Sequence, residues 1–377
     1  MNAPTLNAED TRVSRLELFF DLVFVFALTQ VTVLMAEDLG PESLLRGALV
    51  LGLLWASWAG FAWLCNVVSA DAVRTVLLAS MAAMLALALA IPEAFDDQPG
   101  GLDGPLVVAG CYLAFRLVHL AMYWIASRED AAERRQLMAY APFVLTGTAL
   151  LLVAATADGW TQTLLWVLAL AADYVGTSVG GAEGWQLRSA GHFAERHGLI
   201  VIVALGESIV AIGMAVRDQA LTGPVLTGSL LGLVVTTSLW WVYFGADATD
   251  ADRALHAEPA ATRSRLARDA YSVLHLPLMV GIVLVALGLK TVLAHLDEPL
   301  TGTALGALHG GVLLFLLGHA AFRWRIAHDV VPGRLVAAAA VVACWVAGPQ
   351  LSALGTLATL AAVLAALVTR ETVGRGR

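Results

Sequence analysis

Glu207 stands between Gly206 and Ser208, well inside an apolar run that begins near His192. Fifteen residues separate His192 from Glu207, about 22 Å along a helix at 1.5 Å per residue. A carboxylic acid at that depth can carry a proton or meet a cation, which is the chemistry a proton-coupled carrier needs. A hydrogen-bonded structural glutamic acid is the plainer reading of the same residue. Asp21, Arg116, His119, Asp173, His275 and His319 also fall inside apolar runs. Inserting one charged side chain into a membrane helix costs roughly 2.5–3.5 kcal/mol, so each calls for a partner or a purpose. Arg116 requires a carboxylate, and Asp173 or Asp21 can supply it. Arg116 and His119, three apart, share a helix face. His192, Arg196 and Glu207 share another, because spacings of four and eleven nearly close a whole number of turns.

Some of these groups have local explanations. Ser14-Arg15-Leu16-Glu17 fits a capping box, in which Ser14 and Glu17 satisfy the first orphan amides of a helix. Asp21 lies beyond that cap and needs Arg15 or a group on another helix. His192 and Glu195, three apart, could touch a metal, but two ligands lack a third. With Arg196 and His197 they read better as a hydrogen-bond network at a helix end, and no metal or other cofactor is expected. His119 and His319 taken singly read as packing residues near an interface.

The elements that must position these groups are membrane helices. The 377-residue chain is 59% hydrophobic and 14% charged, against roughly 25% charged in soluble domains. Twelve apolar spans of crossing length can be drawn: 15–36, 44–66, 72–92, 105–126, 138–157, 160–179, 193–215, 223–245, 270–293, 302–322, 334–349 and 352–369. The segment 246–269 reads as a long loop. The polar start lacks the form of a secretory signal, and Cys65, Cys111 and Cys344 lie in apolar runs without disulfide or metal spacing. The net charge of −8 says little about partners; its placement says more. With the amino terminus inside, Arg46, Arg217 and Lys290 fall outside and Arg116 within a span, so eighteen of twenty-two Lys and Arg lie inside. That bias predicts both termini in the cytoplasm.

The chain also resembles itself. An offset of 177 pairs Leu22, Ala27 and Leu28 with Leu199, Ala204 and Leu205, and sets Gln30 on Glu207. Offsets of 198 and 200 pair Asp71, Leu78 and Met81 with Asp269, Leu276 and Met279, then Gly110, His119 and Trp124 with Gly310, His319 and Trp324. These matches predict an all-α, polytopic membrane protein of two parallel six-helix repeats, 1–185 and 186–377, with any site near their interface. Gly176/Gly180, Gly228/Gly232 and Gly302/Gly306 read as close-packing pairs. Trp55, Trp58, Trp63, Trp240 and Trp241 read as helix packing, with a cavity wall as the rival.

Two segments carry a family resemblance. Arg15-Leu-Glu-Leu-Phe-Phe-Asp-Leu-Val-Phe-Val-Phe-Ala-Leu28 and His192-Phe-Ala-Glu-Arg-His-Gly-Leu-Ile-Val-Ile-Val-Ala-Leu-Gly-Glu-Ser-Ile209 resemble the signature segments of the bacterial low temperature requirement protein A family. The resemblance implies a multi-pass inner-membrane protein, with a family name taken from a cold-growth phenotype and no established activity. Arg15-x-x-x-Phe19-Phe20-Asp21 also resembles the Arg-x-x-x-Phe-Ser-Asp opening of a potassium channel family built from six-helix repeats. Phe20 replaces the serine there, and the second copy reads Arg196-His197-Gly198.

The sequence therefore predicts a proton- or cation-linked transporter or channel-like protein. Glu207 is its deep acid, and Asp21, Arg15, Arg116, His119, Asp173, Glu195, Arg196, His197, His275 and His319 line the way to it. The bilayer and a small solute, proton or cation are the expected partners, nucleic acid is not, and a homo-oligomer stays open. A membrane-embedded enzyme acting on a lipid-borne substrate and a non-catalytic factor needed in the cold are the rival classes.

Overall fold

Polar caps and prolines set where the apolar runs become helices. In the computed structural model, which describes residues 13–68, 70–179, 185–245 and 247–375, the Ser14 amide donates to Glu17 Oε2 at 2.8 Å. The Glu17 amide donates back to Ser14 Oγ at 3.3 Å, closing the predicted capping box. Asp103 accepts from the Leu106 amide, and Asp130 from the Ala132 and Glu133 amides, each capping the helix that follows it.

The helices are α1 (Arg15–Glu37), α2 (Pro41–Val67), α3 (Ala70–Ala90), α4 (Gly104–Ala126), α5 (Ala131–Ala154), α6 (Gly159–Val179) and α7 (Ala190–Val216). There follow α8 (Gly223–Phe244), α9 (Asp247–Ala257), α10 (Ala260–Ala267), α11 (His275–Ala294), α12 (Gly302–Ala327), α13 (Pro332–Ala347) and α14 (Ala353–Arg375). Each of the twelve predicted spans has its helix. Among the described residues eleven helical stretches are long and apolar enough to cross a membrane. The remaining span, α6, is 21 residues long but carries Gln162, Thr163 and Asp173.

The structure departs from the sequence reading at 246–269. That segment forms α9 and α10 and runs on into a π-helical turn, Arg268–Val273, before α11 begins. Local pairing explains it: Arg253 meets Asp250 at 3.1 Å, and Arg263 donates to the Glu258 carbonyl at 2.8 and 3.0 Å. Charged first turns likewise start α5 seven residues before the apolar window does.

Packing divides the chain into two units. The first holds residues 13–34, 45–199 and 255–272, where α3, α4, α5 and α6 pack in sequence order. The second holds 35–44, 200–254 and 273–375, where α11 lies on α12, α14 on α8, and α13 on both α12 and α14. In the second unit α11 and α12 meet backbone to backbone. A Cβ on Gly281 would lie 2.7 Å from the Gly311 carbonyl oxygen, and one on Gly288 would lie 2.7 Å from Leu308 Cα. Glycine is what admits that approach. Gly176, Gly228 and Gly232 are likewise pressed by side chains, whereas Gly302 has φ +55° and serves the turn into α12. Gly180, the other half of a predicted pair, lies outside the described residues.

Polarity runs opposite to a soluble protein's. Asp21, Arg116 and Arg196 are fully buried, while Leu89, Trp160 and Val346 are more than half exposed. Apolar side chains on the outside and charges within suit a hydrocarbon solvent.

Candidate functional site

Two clusters in the first unit hold fully buried ion pairs. The deeper sequence signal lies where α1, α2 and the start of α7 meet. Asn66, at the end of α2, fastens the approach to α7: its Oδ1 accepts from the Arg188 and Ser189 amides, and its Nδ2 donates to the Ser189 carbonyl. The first turns of α7 then present His192 and Arg196 to α1. Arg196 Nη2 donates to Asp21 Oδ1 at 2.9 Å and Nη1 to Glu17 Oε1 at 3.3 Å. His192 Nε2 stands 3.1 Å from Glu17 Oε1 and 3.3 Å from Oε2. From α2, Trp58 Nε1 donates to Asp21 Oδ1 at 2.7 Å while its ring lies under the Arg196 guanidinium, 5.4 Å from Cζ to centroid. Among the described residues Asp21 Oδ2, His192 Nδ1 and Arg196 Nε meet no hydrogen-bond partner.

Indole and imidazole rings surround this cluster. Trp55 stacks on Trp58 at 4.9 Å, and His197 sets its edge against both and against Tyr271. Trp55 Nε1 donates to the Ser272 carbonyl at 2.6 Å and Trp63 Nε1 to Ser272 Oγ at 2.9 Å. The π-helical turn is thus tied through two indoles to the aspartate. Trp55, Trp58 and Trp63 work as packing and as donors in this unit.

The second cluster joins α4, α5 and α6. Arg116 Nη2 donates to Asp173 Oδ1 at 2.8 Å and to the Tyr140 hydroxyl at 2.6 Å, and the Tyr112 hydroxyl donates to Asp173 Oδ2. Of the two candidate carboxylates, Asp173 is the one Arg116 takes. Arg116 Nε and Nη1 meet no acceptor among the described residues. His119, one turn on, stays apart from the ion pair and packs on Phe61, Tyr123 and the bare backbone of Gly60, where an added Cβ would sit 3.0 Å from Nε2.

The second unit has its own polar group. Arg334 grips Glu371 with Nε to Oε1 at 2.9 Å and Nη2 to Oε2 at 3.2 Å, and Nη1 donates to His319 Nδ1 at 2.7 Å. The Tyr243 hydroxyl and His275 Nε2 are 2.8 Å apart, and Phe322 packs against both histidines. So His275 and His319 are brought together around Tyr243 and Phe322, with Arg334 and Glu371 beside His319. Glu207 and Ser208 are buried here, eleven residues and about 16 Å along α7 from Arg196. An open hollow of about 500 Å³ in this unit is lined by Gln219, Thr222, Pro224, His295, Asp297 and Glu298, away from the predicted residues.

Arg15 and Glu195 stand at the edge of the first cluster. Arg15 is exposed at the start of α1, and Glu195 accepts from the Val13 amide at 3.4 Å. Among the described residues no three His, Cys, Asp or Glu side chains stand so as to hold a metal ion. Several partners were missed by the sequence reading. Tyr112 lies four residues before Arg116 on the same face and could have been found by that spacing. Trp58, Tyr140 and Arg334 are linked to their partners only by the fold.

A model of the family described as bacterial low temperature requirement A protein matches residues 12–369, nearly the whole chain. A protein of Rhizobium meliloti (strain 1021), described as uncharacterized protein RA0937, is 28% identical over 338 residues, covering 86% of this chain and 80% of its own length. No solved structure matches.

Proposed function

The chain belongs to the bacterial low temperature requirement A family, and from that premise we propose that it is a proton- or cation-linked transporter or channel-like protein of the inner membrane. Its ion-handling centre is the cluster of Glu17, Asp21, His192 and Arg196. One observation carries this reading: two buried carboxylates share a single guanidinium. With His192 neutral, the cluster holds one negative charge too many, in a setting where an uncompensated charge costs several kcal/mol. A group so placed draws in a positive charge and gives it up when an alternative partner is offered, which is the elementary act of ion-linked transport.

The two acids compete for Arg196, so arrival of a positive charge at one frees the guanidinium for the other. Trp58 senses the change at Asp21 Oδ1, and its stack on Trp55 links that change to Ser272. Glu207, further along the same helix, is the inner carboxylate of the proposal. The excess of Lys and Arg in alternate connections supports cytoplasmic termini, which puts His192 and Glu17 at the cytoplasmic mouth. The sequence repeat supports two related halves, 1–185 and 186–377.

Reconstitution into proteoliposomes tests the proposal. The parent protein should carry a flux that follows an imposed pH or alkali-cation gradient, and Asp21→Asn should lose that dependence at least tenfold. Glu207→Gln should weaken it as well. Equal gradient dependence in the parent and in both variants would remove the cluster and Glu207 from an ion-handling role.

A further inference from the structure

We infer that the ion handled by the Glu17–Asp21–His192–Arg196 cluster is a single proton, seated at one of two atoms, His192 Nδ1 or Asp21 Oδ2. This rests on reading the cluster as an ion-handling centre and selects among the ions that reading allows. The selection comes from counting ligands. Both oxygens of Glu17 already face N–H donors, from Arg196 and His192 on α7 and from the Ser14 amide. Asp21 Oδ1 takes two more, from Arg196 and from Trp58 on α2. One carboxylate oxygen, Asp21 Oδ2, is left without a hydrogen-bond partner among the described residues, on a side chain with no exposure.

A dehydrated metal cation needs several oxygens at once to replace its water shell. Beside Asp21 it would find one open carboxylate oxygen and the N–H groups of Trp58 and Arg196 turned towards the acids, which repel it. A proton needs one lone pair, and the cluster has two to offer. His192 Nε2 faces two carboxylate oxygens and so carries its hydrogen, which leaves the lone pair on Nδ1. Nδ1 also meets no partner among the described residues, and its side chain is 5% exposed.

Protonation at Nδ1 makes an imidazolium whose Nε2–H still holds Glu17, and the cluster becomes neutral. Protonation at Oδ2 neutralises Asp21, leaves Glu17 with Arg196, and reaches the same total. The other charged and titratable groups facing these atoms are few. Glu17 lies one turn before Asp21 on α1, Arg196 comes from α7, and the Cys65 thiol comes from α2 beside Arg196. One proton at either atom therefore neutralises the cluster, with no second charge required. Two carboxylates for one guanidinium make the site bind one proton and no more.

The test uses the full chain in nanodiscs, with proton uptake counted by a pH-indicator dye after a pH jump and indole fluorescence read alongside. The parent should take up one proton per chain more than Asp21→Asn, whose cluster is neutral without it. Sodium or potassium added at fixed pH should displace no proton from the parent and leave its fluorescence unchanged, whereas the pH jump should change the fluorescence and Trp58→Phe should abolish that change. Proton release on adding sodium or potassium to the parent would overturn the inference. So would equal uptake by the parent and Asp21→Asn. Should the variant fail to fold, the parent's response to pH against alkali cation decides alone. The two readings fail apart: flux that follows sodium or potassium and ignores pH sinks the proton and keeps transport, while one-proton uptake with no flux in liposomes keeps the proton and sinks transport.

Discussion

Arg116 and Arg196 are both fully buried guanidinium groups in the same unit, and they are matched differently. Arg116 faces one carboxylate, Asp173, inside a collar of two tyrosines. Arg196 faces two carboxylates, with a histidine on one and an indole on the other. The first arrangement sums to zero and has no reason to change. The second, with His192 neutral, sums to minus one and settles only when a positive charge joins it. Equal burial thus gives a brace in one place and a responsive centre in the other, and the difference lies in a single extra acid.

The sharpest way to probe that contrast is to neutralise one aspartate in each cluster. Asp173→Asn leaves Arg116 buried with no counter-charge, and arginine cannot shed its proton. Unfolding in detergent micelles should show a loss of about 3–5 kcal/mol, the usual penalty for removing one partner of a buried pair. Combining Asp173→Asn with Arg116→Met should recover most of it. A smaller loss is expected from Trp58→Phe, which takes one donor from the Asp21 carboxylate, and about 1.5–3 kcal/mol is typical for a hydrogen bond to a charged group. The same unfolding measurement with Ser14→Ala should show about 1 kcal/mol, the value of an amino-terminal cap. A loss there as large as that of Asp173→Asn would mean that Ser14 also fixes Glu17 against Arg196.

Much of this was legible from residue types. Apolar length set all twelve spans, and the Ser14-to-Glu17 spacing gave the cap of α1. The buried charge of Arg116 demanded a carboxylate and left two names, one of which the fold selected. Other parts were not legible, for reasons of physics. A tryptophan in an apolar helix looks like packing whether or not its N–H finds an acceptor, so the link from Trp58 to Asp21 leaves no mark on the sequence. Arg334 and Glu371 lie at helix ends among other charged residues, where an exposed pair and a buried one read alike. The helices of 247–267 are short and mostly polar, with only Ala251, Leu255, Leu266 and Ala267 turned inward, so no apolar run of crossing length announces them. The glycines where α11 meets α12 are spaced like any others, and their role follows from which backbone lies opposite.

The most direct measurement of the central contrast is the unfolding free energy of Asp21→Asn beside that of Asp173→Asn, both against the parent at neutral pH. A surplus acid in the Arg196 cluster predicts that Asp21→Asn stays within about 1 kcal/mol of the parent, because Glu17 still pairs with Arg196 and the asparagine oxygen still accepts from Trp58. Asp173→Asn should fall by several times that amount. Equal and large losses in the two variants would show that Asp21 is a structural counter-ion like Asp173, and that the cluster has no charge to spare.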